Sequence, residues 1–194
     1  MATSSDHHAH ASTRAAGVAP FRAATDGDVW IRRVASPVGE LTLVAGAHGL
    51  QALLWPNEEP GQHVSPGVVD GPPSAAAAAL LDAVEQQLAE YFAGDRTTFD
   101  VDLDPHGTPF QLLAWQALRT IPYGRTVSYG EQARRLGDPR KARAVGAENG
   151  RNPISIIVPC HRVVGADGSL TGFGGGLEAK AWLLDHERGQ ARLA

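Results

Sequence analysis

The sequence predicts an α/β protein of the α+β type. A small N-terminal antiparallel sheet with one helix would precede a mainly helical, winged-helix-like C-terminal domain that contains a helix-turn-helix. Short β-type runs occupy residues 29–54, whereas segments with helix-capping signals follow residue 107. The chain has 194 residues, of which 43% are hydrophobic, enough for one domain or two small ones. We divide it into an extension at 1–27 and domains at 28–104 and 105–190.

The N-terminal elements are predicted from simple patterns. The first 26 residues are rich in Ala, Ser, Thr and His without apolar periodicity, so we expect a disordered extension. Three β-type runs then predict an antiparallel meander, namely Val29–Val34, Leu41–Ala45 and Leu50–Leu54. Residues 56–74 contain five prolines and three glycines and indicate a loop. The alanine-rich stretch from Ser74 to Phe92 predicts a helix that ends at Gly94.

The C-terminal helices are predicted from their capping signals. Thr108–Gln111 is a capping box that opens a helix, with one apolar face made of Phe110, Leu113, Ala114, Ala117, Leu118 and Ile121. Ser128–Glu131 is a second capping box, and its helix ends at Gly137. Asp138-Pro139 starts another helix that runs to about Gly150, so a tight turn joins two helices as in a helix-turn-helix. A last helix starts at Leu177, with Leu177, Ala181 and Leu184 on one face.

Charge is distributed unevenly along the chain. The net charge of -4 would argue against a nucleic-acid partner. Residues 108–163, however, hold 9 Lys/Arg against 3 Asp/Glu, whereas residues 1–107 hold 5 against 14. The helix from Pro139 combines the projecting Arg143 with four small residues, Ala142, Ala144, Gly146 and Ala147. This surface suits a nucleic-acid groove, although a helix packed against its own domain remains the alternative, and Glu148 argues against DNA contact.

Composition excludes several classes of protein. Cys160 is the single cysteine, so an intramolecular disulfide and a zinc site with two or more thiolates are excluded. We expect no metal and no cofactor, and we interpret His7, His8 and His10 as part of a polar tail. The sequence has neither a signal-peptide pattern nor an apolar stretch of about 20 residues. We therefore expect a cytoplasmic protein without membrane contact.

Candidate chemistry lies around Cys160. The apolar run Ile154–Val158 predicts a strand that delivers Pro159, Cys160 and His161 to a turn. A lone cysteine after such a strand is more often buried and inert, but the polar, turn-forming surroundings favour a nucleophile. His161 could activate Cys160 only through a bend or an intervening water. Glu187 lies three residues after Leu184 and could orient His161 as the third member of a triad.

The segment 172–176 is a glycine-rich loop. It lacks the G-x-G-x-x-G spacing and a Walker lysine, so nucleotide-phosphate binding is rejected. Its backbone could approach a flat ligand closely while Phe173 stacks on that ligand. The alternative is an ordinary glycine-rich turn.

Five segments are specific enough to identify a family, namely Ile157–Val164, Ser128-Tyr129, Ala142–Gly146, Gly150–Pro153 and Gly174–Leu177. Together they closely resemble the O6-alkylguanine-DNA alkyltransferases, also called methylated-DNA–protein-cysteine methyltransferases. The resemblance covers residues 28–188 and is densest after residue 108. It implies repair of O6-alkylguanine, and of O4-alkylthymine, in double-stranded DNA. A monomer would approach the minor groove, flip the base and transfer its alkyl group once to the protein, without a cofactor.

The resemblance also implies roles for individual residues. Cys160 would accept the alkyl group, His161 would take its proton through a water, Glu187 would orient His161, and Asn152 would fix the active-site turn. Further DNA contacts would come from Arg151 and the helix residues Ala142, Ala144, Gly146 and Ala147.

Arg143 would be the finger that replaces the flipped base in the stack. Tyr129 would press on the target phosphate and contact the base, Val163 would offer its carbonyl, and Gly174 would donate its N–H to O6. The pocket would also include Asn149, Phe173 and Gly175. Phe173 stands where family members often have tyrosine, and the cysteines of the family's zinc-containing members are absent here.

Two other functions remain open. A non-enzymatic DNA-binding or regulatory protein could use the same helix-turn-helix, although relatives that bind lesions without repairing them replace the cysteine that is present here as Cys160. A cysteine–histidine hydrolase would turn over small acyl substrates without DNA.

Overall fold

The computed structural model describes residues 18–21, 27–60 and 67–189. Most of the predicted extension at 1–27, including His7, His8 and His10, therefore lies outside the described residues. The three predicted strands are present as β1 (Trp30–Val34), β2 (Leu41–Ala45) and β3 (Leu50–Leu54), in the antiparallel order β1-β2-β3. Helix α1 (Ala75–Ala93) follows them. The mixed architecture that the sequence predicts is confirmed for this half of the chain.

One face of the sheet packs against α1. Leu81, Val84 and Leu88 of the helix share the main core with Leu43 and Leu53 of the sheet. Residues of the opposite face form a smaller buried cluster, Val29, Val44, Ala52 and Leu54. Buried apolar residues thus lie on both faces of the sheet, in agreement with the burial of every residue of β3.

The C-terminal half is mainly helical, as predicted. Its elements are α2 (Pro109–Leu118), β4 (Val127–Ser128), α3 (Tyr129–Arg135), α4 (Ala142–Asn149), β5 (Val163–Val164) and α5 (Gly176–Glu187). Short 3₁₀ turns, Pro139–Lys141 and Cys160–Arg162, precede α4 and β5. The division of the chain at residue 104 stays a prediction.

The capping signals place the helix starts correctly. Thr108 and Gln111 form both hydrogen bonds of a capping box. At the second predicted box the Ser128 hydroxyl accepts a hydrogen bond from the Glu131 N–H. The Glu131 carboxylate, however, pairs with Arg135 one turn later. Helix α3 therefore begins where predicted, held by the Ser128 hydrogen bond of the predicted capping box and without the Glu131 one.

Two predicted helix faces are wrong in part. Leu113 of α2 is 60% exposed, whereas Trp115 is buried and its indole N–H donates to the Glu148 carbonyl. Leu177 of α5 is 48% exposed. The buried side of α5 is formed by Lys180, Leu183, Leu184 and Glu187. Apolar spacing alone misassigned these faces because buried polar contacts, such as that of Trp115, decide how the helices are oriented.

The predicted strand Ile154–Val158 is also wrong. Only Ile154 forms a bridge, to Leu53 of β3, and the chain then folds back so that the Val158 N–H donates to the Ile154 carbonyl. Ile156 adopts a φ of 72°, a left-handed conformation that is costly for a β-branched residue. All five residues of the run are buried, the polar Ser155 included, and burial alone does not distinguish a strand from a compact turn.

No helix in the parts of the chain that the structure describes combines the length and the apolar character needed to cross a membrane.

Candidate active site

Two backbone connections place the Cys160–Arg162 turn. The parallel pairing of β4 with β5, Val127 opposite Val163, holds the start of α3 beside the end of the turn. The Leu53 N–H of β3 donates to the Pro153 carbonyl at 2.8 Å. The turn therefore lies where the N-terminal sheet meets the helical half.

Asn152 closes the turn around Cys160. Its side-chain amide donates to the Val158 carbonyl at 2.7 Å and to Cys160 Sγ at 3.2 Å, and its Oδ1 accepts from the Ile154 N–H. These bonds agree with the expectation that Asn152 fixes the active-site turn. They also explain how the strained Ile156 is held in place.

The Cys160 thiol is 6% exposed. Burial raises the pKa of this thiol above its ordinary value, while the hydrogen bond from Asn152 and the charge of Lys180 act in the opposite direction. A thiol with a raised pKa is protonated at neutral pH, so a nucleophilic role requires a neighbouring base.

His161 has the geometry of such a base. Its Nε2 lies 2.8 Å from Glu187 Oε1. Because an ionised carboxylate only accepts hydrogen bonds, Nε2 carries a proton, and in the neutral ring Nδ1 then keeps its lone pair. Nδ1 is buried and has no hydrogen-bond partner among the described residues. The ring is therefore oriented by one nitrogen and basic at the other.

Glu187 is a buried hub of hydrogen bonds. Besides His161, it accepts from the Arg162 guanidinium, with Nε at 2.9 Å from Oε2, and from the Tyr91 hydroxyl at 2.9 Å. The Gly124 N–H donates to Oε2 at 3.0 Å. Gly124 has a φ of 69°, and a Cβ there would lie 2.9 Å from the Glu187 carbonyl, so only glycine fits. The sequence indicated Glu187 but missed Arg162 and Tyr91.

Burial, supported by the positive charges nearby, keeps His161 neutral. Burial acts to raise the pKa of Glu187, but the contacts with His161 and Arg162 outweigh it and hold that pKa well below its usual range. Burial lowers the pKa of His161, and the positive charges of Arg162 and Lys180 lower it further. The hydrogen bond and the charge of Glu187 act to raise it, and the net result is a lowered pKa. Arg162 thus balances the carboxylate, and His161 stays neutral and able to accept a proton.

Lys180 is a second buried charge that sequence reasoning missed. Its Nζ donates to the Val163 carbonyl at 2.7 Å and to the Thr171 carbonyl at 2.8 Å. Burial lowers the pKa of Lys180 below its ordinary value, although the nearby Cys160 acts in the opposite direction. The signal available in the sequence was spacing, because Lys180 lies two helical turns before Glu187 on the same face of α5. Lys180 ties β5 to the segment that leads into the glycine-rich loop.

Tyr129 joins three parts of the site. Its hydroxyl accepts a hydrogen bond from the Thr171 hydroxyl at 3.3 Å, and its ring lies 6.0 Å from Lys180 Nζ. A Cβ on Gly146 of α4 would lie 3.4 Å from the Tyr129 ring. Tyr129 therefore stands between α4, α5 and the segment that leads into the glycine-rich loop.

The exposed side of α4 agrees with the predicted interface. Arg143 is exposed and makes no hydrogen bond or ion pair with a residue that the structure describes, whereas Arg140 pairs with Asp138 and Arg151 pairs with Glu148. The four small residues divide into two exposed, Ala144 and Ala147, and two half-buried, Ala142 and Gly146. A helix packed tightly against its own domain would bury all four.

Asn149 and Gly175, which are predicted to belong to the base pocket, both make close contacts with other parts of the chain. Asn149 is buried, and its amide exchanges two hydrogen bonds with the Gln132 amide. This placement favours a structural role between α3 and α4. Gly175 packs on the indole of Trp55, where a Cβ would lie only 2.4 Å from the ring. Phe173 lies between Trp55 and His161, with ring centroids at 5.2 and 6.4 Å.

Within the described ranges no three His, Cys, Asp or Glu side chains are close enough together to hold a metal ion.

A carboxylate-oriented imidazole next to a cysteine is a set of groups that can activate a thiol. Comparisons with known proteins identify the family of the chain. Two family models match the chain, the 6-O-methylguanine DNA methyltransferase ribonuclease-like domain over residues 32–105 and the DNA binding domain of the same name over residues 109–189. A methylated-DNA–protein-cysteine methyltransferase of Mycolicibacterium paratuberculosis is 50% identical over 157 residues, which are 81% of this chain and 91% of that protein.

Solved structures give the same result. The O6-methylguanine methyltransferase of Mycobacterium tuberculosis is 47% identical, with a TM-score of 0.72 over 86% of this chain and 96% of that one. The M. tuberculosis OGT in complex with DNA is 48% identical, with a TM-score of 0.71 over 84% and 95% of the two chains. The chain belongs to the 6-O-methylguanine DNA methyltransferase family, which confirms the resemblance found in the sequence.

The buried neutral imidazole predicts acid sensitivity. As the pH falls below the ordinary histidine pKa of 6.5, the unfolded chain binds a proton at His161 that the folded chain refuses. The free energy of unfolding should therefore fall, by up to about 1.4 kcal/mol per pH unit from this group. Glu187 acts in the same direction below its ordinary pKa of 4.5. Urea unfolding between about pH 7 and pH 5 measures the slope.

His161→Gln should flatten this slope, because it removes the group that titrates. His48→Gln, at an exposed position, is the matched control and should keep the wild-type slope. Equal slopes in all three proteins would contradict a neutral buried His161.

Proposed function

We propose that this protein repairs DNA by transferring the alkyl group of O6-alkylguanine to Sγ of Cys160, once per molecule. The observation that carries the proposal is the buried Cys160 beside a neutral His161 oriented by Glu187. The 50% identity to a methylated-DNA–protein-cysteine methyltransferase supports the same reaction. O4-alkylthymine is a second proposed substrate.

The proposed chemistry follows from the protonation states. His161 Nδ1 takes the thiol proton through a water molecule, and the imidazolium is stabilised by the ionised Glu187. The thiolate then attacks the alkyl carbon, and the C–O bond breaks with its electron pair passing to the guanine, which takes up a proton from solvent. The product thioether has no facile leaving group. The reaction therefore ends after one transfer, and no step needs a cofactor.

The base must leave the duplex to reach a buried thiol. Flipping costs a few kcal/mol, and less for a lesion that pairs poorly. We propose that α3 and α4 act as a helix-turn-helix on the minor groove, with Arg143 filling the space of the flipped base. The exposed, unpaired state of Arg143 supports this role, as do the small side chains around it. Ala142, Ala144, Gly146, Ala147 and Arg151 would contact the backbone of the DNA.

The proposed base pocket lies between β5 and the glycine-rich loop. The Val163 carbonyl uses one lone pair for Lys180 and keeps a second for the base. Gly174 would donate its N–H to O6, Phe173 would stack, and Tyr129 would contact the base and its phosphate. The solved complex of M. tuberculosis OGT with DNA supports DNA as the partner. We propose that the chain acts as a monomer.

The transfer reaction predicts a covalent change at one residue. After incubation with a duplex that contains O6-methylguanine, intact-protein mass spectrometry should show one added methyl group per chain, and peptide mapping should place it on Cys160. Cys160→Ala should gain no methyl group and should still bind the duplex. Product that accumulates beyond one equivalent would contradict single transfer and favour a hydrolase-like or other turnover mechanism.

Arg143 provides a test of base flipping. If Arg143 fills the stack, Arg143→Ala should slow transfer from duplex DNA by more than about tenfold, which corresponds to roughly 1.4 kcal/mol. Transfer from free O6-benzylguanine should hardly change, because no base has to be extruded. Single-turnover rates on the two substrates measure the difference.

Arg140→Ala is the matched control, since Arg140 is an exposed arginine one turn away that already pairs with Asp138. It should change duplex binding modestly and in a salt-dependent way, without the loss in rate. Arg143→Lys separates shape from charge. Equal losses on duplex and free base would show that Arg143 is not the finger.

A further inference from the structure

Trp55, the residue that follows β3, lies directly under the glycine-rich loop. It is 1% exposed. A Cβ built on Gly175 would lie 2.4–2.6 Å from three carbons of the indole, and one on Gly174 would lie 3.3 Å from Cδ1. These distances are too short for any side chain at 175, so the loop backbone rests on the face of the ring.

Other contacts from the same segment hold the loop. The Phe173 ring meets Trp55 edge-on at 5.2 Å. The Asn57 side-chain amide donates to the Gly174 carbonyl at 3.4 Å. The backbone N–H of Trp55 donates to the Glu58 carboxylate at 3.0 Å. Three consecutive loop residues, Phe173 to Gly175, are thus positioned by the N-terminal half of the chain.

The indole N–H of Trp55 is buried and has no hydrogen-bond partner among the described residues. Leaving a buried donor unpaired is destabilising. A phenylalanine would fill much of the same space without this cost. Stability alone therefore does not explain a tryptophan at position 55. The property that distinguishes it from phenylalanine is the size and shape of the ring that supports the loop.

We propose that Trp55 is a positioning residue that determines which alkyl groups the protein accepts. The inference rests on the proposed alkyl transfer. By fixing the height of the loop, the indole sets the space between Gly174, the proposed donor to O6, and Cys160. A smaller side chain at position 55 lets the loop settle into the vacated volume. The pocket then admits larger alkyl groups, while the Gly174 N–H moves away from O6.

The test compares two duplexes of one sequence that differ only in the alkyl group, O6-methylguanine and O6-benzylguanine. Rate constants are measured for wild type, Trp55→Phe, Trp55→Ala and the control Trp30→Ala, which removes a partly buried tryptophan from β1 in the same half of the chain. Because DNA binding and the fraction of active protein affect both substrates equally, they cancel in the benzyl-to-methyl ratio.

The ratio should rise at least about fivefold in Trp55→Ala, which corresponds to roughly 1 kcal/mol. Trp55→Phe should lie between Trp55→Ala and wild type, and Trp30→Ala should match wild type. An unchanged ratio with both rates reduced would assign Trp55 a purely structural role and overturn the inference. Failure of the wild type to accept any alkyl group would overturn the proposed function instead.

A reciprocal substitution tests the contact itself and applies even if Trp55→Ala does not fold. Gly175→Ala should strongly slow transfer in the wild-type background, because its Cβ meets the indole. The same change should cost much less when combined with Trp55→Phe or Trp55→Ala. Additive effects of the two substitutions would contradict direct support of the loop by Trp55.

Discussion

The site depends on one buried carboxylate, that of Glu187. An ionised carboxylate in a protein core is costly unless charge and hydrogen bonds compensate for it. Here Arg162 supplies the charge, and Tyr91, Gly124 and His161 supply further donors. Because Arg162 already balances Glu187, the carboxylate can orient His161 without forcing it to take a proton. The neutral base follows from burial together with this ion pair, whereas the protonated thiol follows from the burial of Cys160.

The same hub makes the N-terminal half part of the active site. Tyr91 reaches Glu187 from α1, Leu53 of β3 holds the segment before the cysteine through Pro153, and Trp55 supports the glycine-rich loop. None of these contacts involves α4, which carries the exposed Arg143. In this account the C-terminal half meets DNA, while the N-terminal half fixes the geometry of the pocket.

The sequence predicted what local rules determine. Capping residues such as Thr108 predicted where helices begin. The three-residue spacing from Leu184 predicted that Glu187 lies on the buried side of its helix. It could not predict contacts between distant residues, such as Tyr91 with Glu187, which are 96 positions apart. The run Ile154–Val158 was wrongly predicted as a strand from its apolar character. Its residues are instead buried in a compact turn, which the side chain of Asn152 closes. Lys180 was missed because a single lysine on a helix is ordinarily solvated.

The central claim is the protonation state of His161, and nitrogen NMR of the labelled imidazole tests it most directly. The account predicts a neutral ring with the proton on Nε2 and an unprotonated Nδ1 from neutral pH upward. Arg162→Met should shift the ring toward the imidazolium form over the same range, because Glu187 would lose its balancing charge. An imidazolium at neutral pH in the wild type, or a neutral ring with the proton on Nδ1, would contradict the account.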